Sequence, residues 1–259
     1  MSLQDQILLI MKSITLLFIL YLSFCPAQWQ RTIHGNGDID SLSHSVKNFT
    51  SLQLIGPFDV ILTDNPKSVV TIKGESNLIT YVEASVFKSK LTLRSKAQAK
   101  LIHSQDLPLK VFVSRSKIDN IYLIGSGSIR SNDPIPTAKL NVEMIGSGYI
   151  KFPVVTKRFT CQLTGSGTAD FLGSSDVLKA RVIGSGQLHA KELITDDAYF
   201  VITGSGQANV NCKGKLKARI DGPGQLEYIG NPQDVSISSW NGREKHTLTG
   251  SNITVKFSK

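Results

Sequence analysis

The chain has 259 residues, 41% of them apolar but only 7% aromatic, with 21 glycines, a composition that suits one elongated domain with a continuous core better than two compact ones. Lys and Arg total 29 against 20 Asp and Glu, and the resulting net charge of +9 favours anionic partners through long-range attraction without naming one. Three cysteines are too few for a disulfide-stapled framework, and beyond the N-terminal run no segment is apolar enough to cross a bilayer.

Met11 and Lys12 precede a mostly apolar run from Ile14 to Phe24, and Cys25-Pro26-Ala27 offers a small residue at which to cut. This pattern predicts a signal peptide over residues 1–27, cleaved after Ala27, with Met11 as an alternative start. Retention as an anchor and lipidation at Cys25 are the other readings; the second needs a small residue before the cysteine, where Phe24 stands. Export separates the chain from nucleic acid and leaves Cys161 and Cys212, in different registers of the repeat, as buried single thiols.

Residues 28–48, rich in Gly, Ser, Asp and His, are expected to form an exposed leader or N-terminal cap. The coils of a repeat are expected from residue 49. Leu52, Leu54, Val60 and Leu62 alternate around Gly56, and Val70 to Gly74 repeats the approach. Leu91 to Leu93 and Leu109 to Val113 continue the strand pattern with less regular corners.

From residue 125 the corners become periodic. Gly125-Ser126-Gly127, Gly146-Ser147-Gly148, Gly165-Ser166-Gly167, Gly184-Ser185-Gly186, Gly204-Ser205-Gly206 and the variant Gly222-Pro223-Gly224 are spaced 21, 19, 19, 20 and 18 residues apart. Counting the first glycine as zero, position −2 holds Leu123, Met144, Leu163, Val182, Ile202 and Ile220, and position +4 holds Ile129, Ile150, Ala169, Leu188, Ala208 and Leu226. Strict alternation on both sides of the corner means two strands per coil, each with one buried face. Stacking such coils buries every apolar column, so the fold class is an all-β, single-stranded, right-handed parallel β-helix with coils of about 20 residues. The glycines serve as sharp corners, and the serines between them are expected to stack hydroxyl on hydroxyl. A phosphate cradle would need a following helix, and no amphipathic helical stretch occurs. Gly230-Asn231-Pro232 breaks the pattern, and residues 233–259 are expected to form capping strands that cover an otherwise open edge.

Gly35-Asn36-Gly37-Asp38, the stretch Phe49 to Leu62 containing Gly-Pro-Phe-Asp-Val, the serial Gly-Ser-Gly corners and the closing run Leu226 to Pro232 occur in this order. Together they resemble the family named Putative auto-transporter adhesin, head GIN domain, over roughly residues 35–232. The resemblance implies an exported or envelope protein of Bacteroidota-type bacteria, a right-handed β-helix, and adhesion. It carries no catalytic residues. The residues after Pro232 are not expected to form the translocator barrel that the family name suggests.

Glycosidic cleavage needs two carboxylates at fixed separation, or a base with a metal or cationic clamp. At +5 the outward residues are Lys151, Asp170, His189, Asn209 and Glu227, so no acidic ladder forms. Asp196-Asp197 falls in a turn, and His34, His44, His103, His189 and His246 lack metal-ligand spacing. No catalytic, cofactor or metal site is predicted. Lys179 and Arg181 align with Lys217 and Arg219 two coils on, with Tyr199 and Val201 between them. This ladder could hold acidic polysaccharide or phosphate-bearing headgroups, the tyrosine stacking on a sugar; its bland counterpart is a solvated β-face. The functional expectation is a non-enzymatic exported adhesin, monomeric or weakly self-associating, in the periplasm, on the outer membrane or outside the cell. A structural envelope protein acting through self-association or a partner is the alternative, followed by a carbohydrate-active enzyme dependent on Asp170 or Asp197.

Overall fold

The computed structural model describes residues 31–64, 68–96, 99–104, 107–115 and 117–239, with the backbone alone of 253–256. The segment 1–27, the start of the leader and the polar stretch from Trp240 to His246 lie outside the described residues. Strands β1 (Thr32–His34), β2 (Ile39–Ser45), β3 (Ser51–Ile55), β4 (Asp59–Thr63) and β5 (Val69–Glu75) lead into a single helical turn, α1 (Ser76–Ile79). They are followed by β6 (Val82–Phe87), β7 (Lys90–Ser95), β8 (Lys100–Ile102), β9 (Lys110–Ser114), β10 (Asn120–Gly125), β11 (Ser128–Ser131) and β12 (Lys139–Gly146). Three long strands that bend through a corner come next: β13 (Tyr149–Gly165), β14 (Thr168–Gly184) and β15 (Gln187–Gly204). The chain ends with β16 (Gln207–Cys212), β17 (Lys215–Asp221), β18 (Gln225–Ile229), β19 (Asp234–Ser239) and β20 (Ile253–Lys256).

The result is a parallel β-solenoid of about six turns. Before each glycine corner, β10, β12 and the C-terminal halves of β13, β14 and β15 pair in parallel and in register, followed by β17 and β19. After the corner, β11, the N-terminal halves of the same long strands, β16 and β18 form the second stack. Every apolar position read from the alternation is interior. Leu54, Leu123, Met144, Val182, Ile202 and Ile220 have no exposed surface, and neither do Ile129, Ile150, Ala169, Leu188 and Leu226 behind them. Burying each large aliphatic side chain contributes ~1.5–3 kcal/mol. Phe171 adds a ring contact to Phe159 at 4.7 Å and another to Phe152 at 5.1 Å.

The two glycines of a corner are required for different reasons. Gly165 sits at φ +116°, and a Cβ there would lie 2.5 Å from the carbonyl oxygen of Gly146 one coil away. Gly167 has an ordinary φ, but its Cβ would meet the Met144 thioether at 2.7 to 2.8 Å and Gly148 O at 2.9 Å. The serine between them works through its backbone: Ser147, Ser166, Ser185 and Ser205 each donate their N–H to the first glycine carbonyl of the preceding coil at 2.9–3.1 Å. Their side chains are exposed, and no hydrogen bond joins successive hydroxyls, contrary to the expected serine ladder.

The first half departs from coil-by-coil order. β3 pairs in parallel with both β7 and β10, and β4 with both β9 and β11. The coil that comes first in sequence is therefore second in space. After β4 the chain builds the layer on one side of that coil and then returns as β10 to its other side. Leu91 to Leu93 and Leu109 to Val113 do stack as coil strands, but Val70 to Gly74 does not: β5 runs antiparallel to β9 and β2. β6 is likewise antiparallel to β7, so at this end the first stack finishes in a reversed strand, while in the second the reversed β5 is followed by β2, which runs again in the direction of the coils. At the far end β20 lies antiparallel to β18.

The leader is fastened by Glu75, which is wholly buried. Its carboxylate accepts the Gly37 N–H at 2.7 Å, the Ser104 N–H at 2.8 Å and the Ser104 hydroxyl at 2.6 Å. One side chain thus holds the chain just beyond both β1 and β8, which pair as a separate two-stranded sheet. A Cβ at Gly35 would lie 2.0 Å from this carboxylate, which explains a glycine there.

Candidate functional site

The outward positions −5 and −3 stand as two rails along the first stack, with the strands at position −4 between them. The register is direct: Lys179 lies beside Tyr199 and Tyr199 beside Lys217, while Arg181, Val201 and Arg219 follow one another on the second rail. The rails continue to Thr160 and Gln162 at one end and to Ser236 and Ser238 at the other. Between them runs a trough of about 470 Å³, floored by the strands at Cys161, Ala180, Phe200 and Ala218, whose side chains point into the core. All its lining residues fall in these three adjacent columns, so its long axis is the solenoid axis. Four strand-to-strand steps of ~4.8 Å make it about 19 Å long.

The structure brings all five predicted face residues, Lys179, Arg181, Tyr199, Lys217 and Arg219, to this trough. Their charges are not equivalent. The Arg219 guanidinium turns to Asp221 at 2.9 Å, whereas among the described residues Lys179, Arg181 and Lys217 enter no ion pair. Tyr199 is half-buried between two exposed lysines. The end residues Ser236 and Ser238 escaped the sequence reading because no glycine after Pro232 marks their register. Thr160 and Gln162 were visible as outward positions, but they carry no charge to draw attention.

The carboxylates weighed for catalysis are already engaged. Asp170 accepts a short hydrogen bond from the Tyr149 hydroxyl and contacts His189 Nδ1 at 2.7 Å. Desolvation first, then the Asp170 carboxylate, pushes the Tyr149 hydroxyl up to about 12. Both residues lie within β15 and not in a turn: Asp197 accepts the Lys215 N–H at 2.9 Å, and the Asp196 backbone carbonyl accepts that of Gly214 at 2.7 Å, so they hold the bend at residues 213–214 of the next coil. Among the described residues no three His, Cys, Asp or Glu side chains converge as a metal site. Cys161 and Cys212 are buried and unpaired with each other, and burial raises the pKa of both thiols.

A stack of parallel coils with glycine corners belongs to the architectural class of β-solenoids. The particular family follows from the sequence match: residues 48–232 fit Putative auto-transporter adhesin, head GIN domain, and the chain belongs to that family. Crystal structures share the fold at low sequence identity. A putative adhesin from Bacteroides fragilis NCTC 9343 aligns with TM-score 0.74 and 20% identity over 80% of this chain and 95% of its own. A putative lipid binding protein from Parabacteroides distasonis ATCC 8503 gives 0.66 and 22% over 81% and 96%. A putative adhesin from Parabacteroides merdae ATCC 43184 gives 0.63 and 20% over 81% and 96%. No curated protein matches the chain. Among the described residues no helix is long and apolar enough to cross a membrane.

Proposed function

We propose that the protein is an exported, non-enzymatic binding module of the adhesin type that holds an acidic surface glycan in the trough between Lys179 and Lys217. The observation that carries this reading is the coincidence of a cavity of about 470 Å³ with three cations that have no carboxylate partner among the described residues. Family membership and the shared fold of two structures described as adhesins support the reading. The neighbour described as lipid binding makes phosphate-bearing headgroups the natural control ligand.

The test has two parts. A tag placed after Lys259 should be lost when intact cells are treated with protease, and the purified protein should be retained on immobilised acidic polysaccharide in a salt-sensitive way. Replacing Lys179, Arg181, Lys217 and Arg219 by Ser should weaken retention by at least about tenfold. Unchanged, salt-insensitive retention by the variant removes the trough from the function. Protection of the tag until lysis places the protein in the periplasm and replaces adhesion with an envelope partner. Preference for anionic vesicles over polysaccharide moves the ligand to a lipid headgroup.

A further inference from the structure

The trough differs from level to level along the solenoid, and the differences alternate. At the first level stand Thr160 and Gln162, both uncharged; at the second, Lys179 and Arg181 face each other across the floor. The third level carries Tyr199 and Val201, an aromatic and an aliphatic surface without charge. At the fourth, Lys217 stands opposite Arg219, whose guanidinium is taken by Asp221, leaving one uncommitted cation. The fifth level is again neutral, with the hydroxyls of Ser236 and Ser238. Cations thus recur at every second coil, about 9.6 Å apart, with neutral levels before, between and after them.

We propose that the ligand is a polysaccharide threaded along the solenoid axis, one sugar per coil, with an acidic group on every second sugar. This rests on the reading of the trough as a glycan site. The direction follows from the walls: a chain lying along a strand would have to cross both rails. The spacing follows from the stack, because a β-linked sugar unit advances by about the same distance as one coil. A uronate at the Lys179 level then meets two cations, the neutral sugar after it lies against Tyr199 and Val201, and the next uronate meets Lys217. Hydroxyls of the terminal sugars reach Thr160, Gln162, Ser236 and Ser238. A polymer acidic at every sugar would force a carboxylate against the Tyr199 level, where the trough offers no cation and part of its hydration would be lost.

The discriminating experiment moves one charge without changing the total. Lys217 and Ser236 occupy the same rail in adjacent coils, so Lys217→Ser with Ser236→Lys stretches the cation spacing from two coils to three. Titration would use three β-linked hexasaccharide probes: alternating glucuronate and N-acetylglucosamine, oligomannuronate, which is acidic at every sugar, and an uncharged cello-oligosaccharide. Wild type is expected to bind the alternating probe about tenfold more tightly than oligomannuronate, and the relocated variant to lose about that factor for the alternating probe alone. A second relocation, Lys179→Ser and Arg181→Ser with Thr160→Lys and Gln162→Arg, shifts both cations of the other level outward by one coil at constant charge and should act alike. Unchanged circular dichroism and thermal midpoint would confirm that each variant folds. Equal binding of both acidic probes, or indifference to both relocations, overturns the alternation while leaving the acidic-glycan reading in place. Failure of wild type to bind either acidic probe overturns the glycan reading as well.

Discussion

Gly165 and Gly37 both adopt positive φ, yet replacing them by alanine should have very different effects. At Gly165 the new methyl group would press on Gly146 O at 2.5 Å, and the backbone on the other side is held by the Ser185 N–H hydrogen bond to Gly165 O. Neither coil can yield without breaking its register. The expected loss for Gly165→Ala is at least about 2 kcal/mol, from backbone strain and overlap together. Gly37, at φ +82°, has nothing within 4 Å of the position an added methyl would take, so Gly37→Ala should cost only about 1 kcal/mol for the left-handed conformation. Urea titration of both variants beside wild type checks the contrast. Equal losses would mean that conformation alone, and not the close approach of coils, selects glycine at the corners.

At the scale of elements, the chain leaving the strand pair β1 and β8 is tied by the Glu75 carboxylate, beside the Asn77 amide that donates to His34 O at 2.7 Å. The Ser104 hydroxyl, with further help from the Ser104 and Gly37 N–H groups and from nearby His103, holds the Glu75 pKa below its usual range despite burial. Stability from this contact is therefore complete above the unfolded value of about 4.3 and is lost as pH falls through the lower folded value. Amide exchange in Thr32–His34 and Lys100–Ile102, corrected for intrinsic rate, should accelerate over that acid range. In Glu75→Gln it should be faster already at neutral pH and lack the acid step; an acid step that survives the substitution would assign it to another group. Nothing in the sequence pointed to Glu75, since a polar residue at a strand end reads as exposed and its partners Gly37 and Ser104 are distant in the chain. The coils from Gly125 onward were legible because each repeats its own register, and so was the basic ladder built on them. The placement of β5 to β9 was not: alternation reports which face of a strand is buried but says nothing about the direction or identity of its neighbour. The glycine-poor corners of that region were the available sign that it follows another rule.

For the whole molecule, the repeat makes stability close to a sum over coils and their interfaces. Excision of residues 147–165 would join Gly146 to Ser166 and restore a Gly-Ser-Gly corner, bringing β12 against β14 in the register both share with β13. The shortened protein is expected to fold with an unchanged circular dichroism spectrum per residue and a thermal midpoint lower by several degrees, about what the loss of one interface predicts. Lys179, Tyr199 and Lys217 stay in place, while the neutral level at Thr160 and Gln162 is lost. An unfolded product would show that the coils do not act as independent layers.

The excursion that places the first coil between β7 and β10 has a consequence for inheritance. Downstream of residue 120, misaligned exchange between two copies of the gene adds or removes a whole coil and leaves both ends intact, so the length of the solenoid and the number of levels in its trough can drift between descendants. Upstream the same event would sever a strand from partners on both sides. Selection can therefore lengthen the trough one coil at a time while the end of the molecule that starts it remains a single indivisible unit.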